Sequence, residues 1–149
     1  MSNRTKILAP IAAFAFLLAV QTPSLAEIIK LTGDLTGAEE VPPTTAAGSG
    51  SFNGSYDTTT KKLSWTISYL NLTGPVTRAD FHGPADIGEQ GSIKIGVDGS
   101  HSPIEGFATL TERSEKPLDK ALLSGKFYVN LHTLAHPNGE IRGQIHTEN

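Results

Sequence analysis

Beyond residue 26, hydrophobic and polar residues alternate in short segments, and almost no stretch shows a sustained 3.6-residue period. The clearest segment is residues 62–72, where Leu63, Trp65 and Ile67 alternate with serine and threonine. Such alternation is typical of a strand with one face in the core and the other in water. It predicts about eight strands, at residues 28–36, 48–56, 62–72, 76–82, 92–97, 104–110, 126–133 and 140–146.

One segment departs from this pattern. Residues 117–124 begin with proline, contain helix formers and are followed by Gly125, which predicts a short helix. No helix of 10–15 residues separates the strands, which disfavours a parallel α/β fold. The sequence therefore predicts a single all-β domain over residues 27–149, an antiparallel Greek-key β-sandwich or flattened barrel. Residues 37–50, rich in Gly, Pro, Thr and Ala, are predicted to be its loosest part.

The first 26 residues have the pattern of a secretory signal peptide. Arg4 and Lys6 precede an apolar run over residues 7–20, and small residues lead to Ala26. The run is shorter than the roughly twenty residues that a membrane-spanning helix needs. We expect cleavage after Ala26, a secreted or periplasmic domain, and no membrane span after cleavage.

Composition and charge exclude several classes of function. The chain has no Cys, so it has no disulfide, thiolate metal site or thiol nucleophile. A formal net charge of -3, without a block of Lys and Arg, is unlike that of a nucleic-acid-binding domain. No Gly-x-Ser-x-Gly elbow or paired-carboxylate spacing is present, and we expect neither an enzyme nor a bound organic cofactor.

Three stretches of sequence resemble a known family. They read LTGAEEVPP at residues 35–43, TRADFHGP at residues 77–84, and GKFYVNLHT followed by HPNGEIRGQI at residues 125–145. Together they resemble the CHRD domain, first described as a repeat in chordin and found alone in exported bacterial proteins; the resemblance covers residues 31–147. It implies an immunoglobulin-like or superoxide-dismutase-like β-sandwich, an extracytoplasmic location and no established enzymatic activity. The family usually shows His-x-His in the middle motif, whereas this chain has Asp80 at the first position.

Polar side chains near the ends of two predicted strands are candidate metal ligands. Residues i and i+2 of a strand share a face, so Asp80 points with His82, and Asn130 points with His132. If these strands are neighbours, Asp80, His82 and His132 come together, with His136 as a weaker member. Imidazole nitrogens and a carboxylate suit zinc or copper(II). The pattern therefore predicts a metal site on the surface.

A structural interpretation competes with the metal site. His82 and His132 could hydrogen-bond turn carbonyls and hold the loops of the domain. His132-x-x-x-His136 is a zinc signature only on a helix, which Pro137 disfavours. The leading interpretation is a non-catalytic binding or structural module for a protein, glycan or envelope component. The alternative is a zinc- or copper-binding envelope protein.

Two further residues carry local predictions. Arg142 is expected to pair with Glu140 or Asp80, in a contact that is usually structural. Gly139 follows Pro-Asn and is expected to take the positive-φ position of the turn between the last two strands.

Overall fold

The computed structural model describes residues 27–110 and 117–148. The predicted signal peptide, residues 1–26, lies outside the described residues. Within the described ranges, no helix is long and apolar enough to cross a membrane.

The domain is nearly all β, with antiparallel pairing throughout the sheet. Its elements in chain order are β1 Ile28–Thr36, β2 Ser49–Asp57, β3 Lys62–Leu70, β4 Val76–His82, β5 Ile93–Val97, β6 Ile104–Thr109, α1 Leu118–Leu123, β7 Tyr128–Thr133, β8 Ile141–Gln144 and β9 His146–Thr147. The strand order is β5-β4-β7-β8-β1-β2-β3-β6, with β9 beside β1, in one nearly closed, barrel-like sheet. The predicted antiparallel all-β fold with one short helix is confirmed.

Differences from the predicted elements have local causes. β3 ends at Leu70 because Asn71 takes a left-handed conformation, with φ of 56°. The last predicted strand is broken at Ile145, and β9 then pairs with Leu31 and Thr32 in the middle of β1. A 3₁₀ turn at Gly37–Glu39 interrupts the segment predicted to be loosest.

The apolar faces of the strands fill the interior of the barrel. The alternation read in β3 holds, since Leu63, Trp65 and Ile67 are all buried there. Trp65 packs on Phe81 of β4, with ring centroids 4.7 Å apart. These contacts bury apolar area from opposite parts of the sheet, which is the main stabilising contribution in a domain without disulfides.

β4, β7 and β8 differ from the other strands because polar side chains on their outer face are buried too. Every residue of β7 and β8 is buried. Loops cover this outer face, and the Gln90 side chain joins two of them by donating to the carbonyl of Val41 at 2.7 Å. Buried polar side chains are unusual in a small domain, so this outer face is the candidate functional site.

Candidate metal centre

Asp80, His82 and His132 meet on the outer face of β4 and β7. Asp80 and His82 project from the same face of β4, and the antiparallel register places His132 opposite Arg78, two residues before Asp80. One candidate ligand atom from each of the three lies within 4.8 Å of the other two. The predicted clustering of these three residues is thus what the strand register produces.

Both histidines are fixed through Nδ1 by backbone carbonyls. His82 Nδ1 lies 3.0 Å from the carbonyl oxygen of Gly91, and His132 Nδ1 lies 3.1 Å from that of Pro137. A carbonyl only accepts, so Nδ1 carries the hydrogen in each ring. In the neutral imidazole, Nε2 then bears a free lone pair, which is the arrangement found in metal-ligating histidines.

The two Nε2 atoms and a carboxylate oxygen converge on one point. Asp80 Oδ2 lies 3.4 Å from His132 Nε2 and 3.8 Å from His82 Nε2. Ligand atoms about 2.0–2.2 Å from a zinc ion stand roughly 3.3 Å apart in a tetrahedral site. His82 Nε2 is buried and has no hydrogen-bond partner. Three acceptor atoms facing each other repel unless a cation lies among them.

Protonation of His132 is a poor source of that positive charge. Burial and, after it, the Arg78 guanidinium lower the pKa of His132, while Asp80 acts in the opposite direction. His132 is therefore neutral at pH 7 and has its lone pair available.

Aromatic stacking holds the plane of the His82 ring. The His82 and Tyr128 rings are parallel within 5°, with centroids 4.8 Å apart. Arg142 lies on the Tyr128 ring, its Cζ 3.5 Å from the centroid. Arg142 is itself held by the backbone carbonyl of Glu89, to which its Nη1 donates at 2.7 Å. The stack restricts rotation of His82 and keeps Nε2 directed towards Asp80.

Arg78 lies on the solvent side of the cluster. Its Nε is 2.7 Å from Asp80 Oδ2. Its Nη2 is 3.1 Å from Nε2 and 3.3 Å from Nδ1 of His132. Near-equal distances to both ring nitrogens place Nη2 over the face of the imidazole, so the in-plane lone pair of Nε2 stays free.

A second acidic group lines the same cleft, whose volume is about 350 Å³. Glu40 is 5% exposed, and its Oε2 accepts a hydrogen bond from Asn130 Nδ2 at 3.4 Å. Burial raises the pKa of Glu40 from an ordinary 4.5 to about 7, although Arg142 and Asn130 lower it. Glu40 Oε1 and Asn130 Oδ1 have no hydrogen-bond partner, and a Cβ atom at Gly139 would press on both. Gly139 has φ of 129°, which confirms its predicted positive-φ conformation.

The structure departs from the sequence-based site in three respects. The site is not on the surface, because loops bury Asp80, His82 and His132 to exposures of 3%, 8% and 2%. In the described part of the chain, the group of candidate ligands does not include His136, which is half-buried. The predicted pairing of Arg142 is wrong, because Arg78 contacts Asp80 while Glu140 accepts from threonine hydroxyls, including that of Thr133 at 2.6 Å.

Fold and cluster together define a class of protein, a small antiparallel β domain with a buried histidine–carboxylate group beneath its loops. The CHRD domain model matches residues 31–145. The chain belongs to the CHRD domain family. No curated protein and no solved structure matches the chain.

Proposed function

We propose that this domain is a non-catalytic binding module whose ligand is a divalent transition-metal ion, zinc or copper. Nε2 of His82, Nε2 of His132 and Oδ2 of Asp80 are the proposed ligand atoms. The observation that carries the proposal is their convergence within 4.8 Å of one another. Two imidazoles and a carboxylate form a borderline-soft donor set that suits these two metals.

The competing structural role of the histidines uses a different atom of each ring. Bracing of the loops is done by Nδ1, through the carbonyls of Gly91 and Pro137. It gives no reason for both Nε2 atoms to face a carboxylate oxygen. Metal binding accounts for both nitrogens of each ring, since the carbonyls then orient the ligands from behind.

Asparagine substitution separates the two roles of each histidine. The asparagine amide nitrogen is bonded to Cγ, as imidazole Nδ1 is, so His82→Asn and His132→Asn retain a donor for the loop carbonyl. Neither variant has an atom at the position of Nε2. The double variant should therefore keep the fold and lose the metal.

The test uses the tag-free chain as its host cells export it. The chain is first stripped of metal and then titrated with zinc and, separately, with copper(II). We expect one equivalent of metal to bind to the wild type and none to the double asparagine variant. His136→Ala is the matched control, and it should bind like the wild type because His136 is not in the group. Absence of stoichiometric binding to the wild type, or binding that survives in a folded double variant, would overturn the proposal.

Location and macromolecular partners stay predictions. Export to the periplasm or medium rests on the sequence pattern of residues 1–26 and is tested by locating the chain in cell fractions. An envelope protein or glycan as partner is tested by capture with the metal-loaded and the metal-stripped chain.

A further inference from the structure

We infer that Arg78 is the resident cation of the cluster and that an entering metal ion exchanges with it. Arg78 thereby sets the metal affinity of the site. This inference rests on the proposed function and deepens it, because it concerns the same three ligands.

The guanidinium already occupies the position next to the ligands. Its Nε lies 2.7 Å from Asp80 Oδ2, which is the oxygen that both histidine Nε2 atoms face. Its Nη2 covers the ring of His132 at 3.1–3.3 Å. An ion pair at this distance neutralises the carboxylate in the absence of another cation.

Arg78 also closes the approach from solvent. Asp80 Oδ2 and His82 Nε2 are buried, whereas the Arg78 side chain is 51% exposed. A metal ion coming from solvent therefore meets the guanidinium before it meets the ligands.

The side chain is free to move away. Its polar contacts within the described residues are to Asp80 and His132 only. Its strand is irregular at this point, with a register shift between Val76 and Arg78. Half of the side chain is already in water, so swinging outwards breaks one ion pair and buries nothing new.

The positive charges of the metal ion and of the Arg78 guanidinium favour an exchange of one for the other at Asp80. Guanidinium contact with Asp80 Oδ2 at 2.7 Å competes with coordination of a doubly charged ion by the same oxygen, because the two cations repel each other at this separation. Metal binding therefore weakens or breaks the Arg78–Asp80 pair, and this cost lowers the metal affinity. Removing the guanidinium removes the cost and leaves all three ligands in place.

The experiment compares zinc affinity in the wild type, Arg78→Gln and Arg78→Lys by competition with a chelator of known affinity. Gln has no charge, whereas Lys keeps the charge but lacks the fork that contacts Asp80 and His132 together. Lys62→Gln, which removes the same charge from β3, is the control for net charge. We expect Arg78→Gln to bind zinc at least about tenfold more tightly than the wild type, with Arg78→Lys in between and Lys62→Gln within about twofold of the wild type.

The outcomes separate this inference from the function on which it rests. If the wild type binds zinc through the histidines and folded Arg78→Gln binds it equally or more weakly, the exchange is wrong. The proposed metal site is not contradicted by that result. A wild type that binds one equivalent of zinc weakly, beside an Arg78→Gln variant that binds it at least about tenfold more tightly, would support both. Absence of binding in every variant, with circular dichroism unchanged, would overturn the metal site and the exchange with it.

Discussion

Glu40→Gln should make the stability of the domain less dependent on pH between about 4.5 and 7. The Glu40 carboxyl is 5% exposed, and burial raises its pKa to about 7. A protonated Glu40 can donate from Oε1 to an acceptor such as Asn130 Oδ1, which otherwise has no partner. Glutamine offers a similar donor and acceptor without charge, so the variant should keep this neutral pairing at every pH.

The magnitude follows from the change in pKa on folding. The unfolded chain releases the Glu40 proton near pH 4.5 and the folded domain near pH 7. Between these values the folded state binds more protons, so the free energy of unfolding falls as pH rises, and above about 7 the loss is complete. A shift of about 2.5 units is worth at most about 3 kcal/mol, or about 10 °C in melting temperature for a domain of this size.

Thermal melts at pH 4.5, 5.5, 6.5 and 8, with chelator present to exclude metal, measure this effect. The fall in melting temperature from low to high pH should be larger in the wild type than in Glu40→Gln by up to about 10 °C. Glu105→Gln, at an exposed position of β6, is the control and should follow the wild type. Parallel curves for the wild type and Glu40→Gln would refute the argument that Glu40 is protonated in the folded domain.

Three further predictions concern the cleft and the core. Gly139→Val should lower the melting temperature by several degrees, because its Cβ would stand 2.6 Å from Asn130 Oδ1 and its φ is 129°. Gly74→Val, with open space around the residue, should melt like the wild type. Equal melting temperatures of the two variants would show that the turn at Gly139 tolerates a side chain. Tyr128→Ala should weaken zinc binding about tenfold, because the His82 ring loses the ring on which it stacks. Tyr128→Phe keeps that ring and should bind zinc like the wild type. Equal zinc affinity in the two variants would show that the stack does not orient His82. The fluorescence of buried Trp65 should shift to the red on unfolding in urea, and an unchanged spectrum would contradict its packing in the core.

The strands were predictable because their signal is local. In β3 the period-two alternation alone identifies the buried face, and the structure agrees at Leu63, Trp65 and Ile67. The end of β3 was not predictable from this pattern, because Asn71 ends the strand through its left-handed backbone rather than through polarity. Similarly, the predicted last strand breaks where β9 turns to pair with β1, a long-range contact that no local pattern shows.

Side-chain alternation along the strands was enough to predict which strand residues form the site, but not which loop residues join or cover it. Asp80, His82 and His132 were found because the i, i+2 rule places side chains on one face, and the strand order makes β4 and β7 neighbours. The same rule applied once more would have added Arg78, two residues before Asp80. Glu40 had no such signal, since it lies after a 3₁₀ turn and reaches the cleft only because its loop folds over the sheet. Burial of the site was missed for the same reason, because the loops that cover it are distant in sequence.

A crystal structure of the zinc-soaked domain, with anomalous data at the zinc edge, would test the central claim most directly. We predict one anomalous peak about 2.0–2.2 Å from His82 Nε2, His132 Nε2 and an Asp80 carboxylate oxygen. Arg78 should be displaced from its contact with Asp80 in the same map. A map with no peak among these three residues, or with zinc bound elsewhere and the Arg78–Asp80 pair intact, would contradict the account.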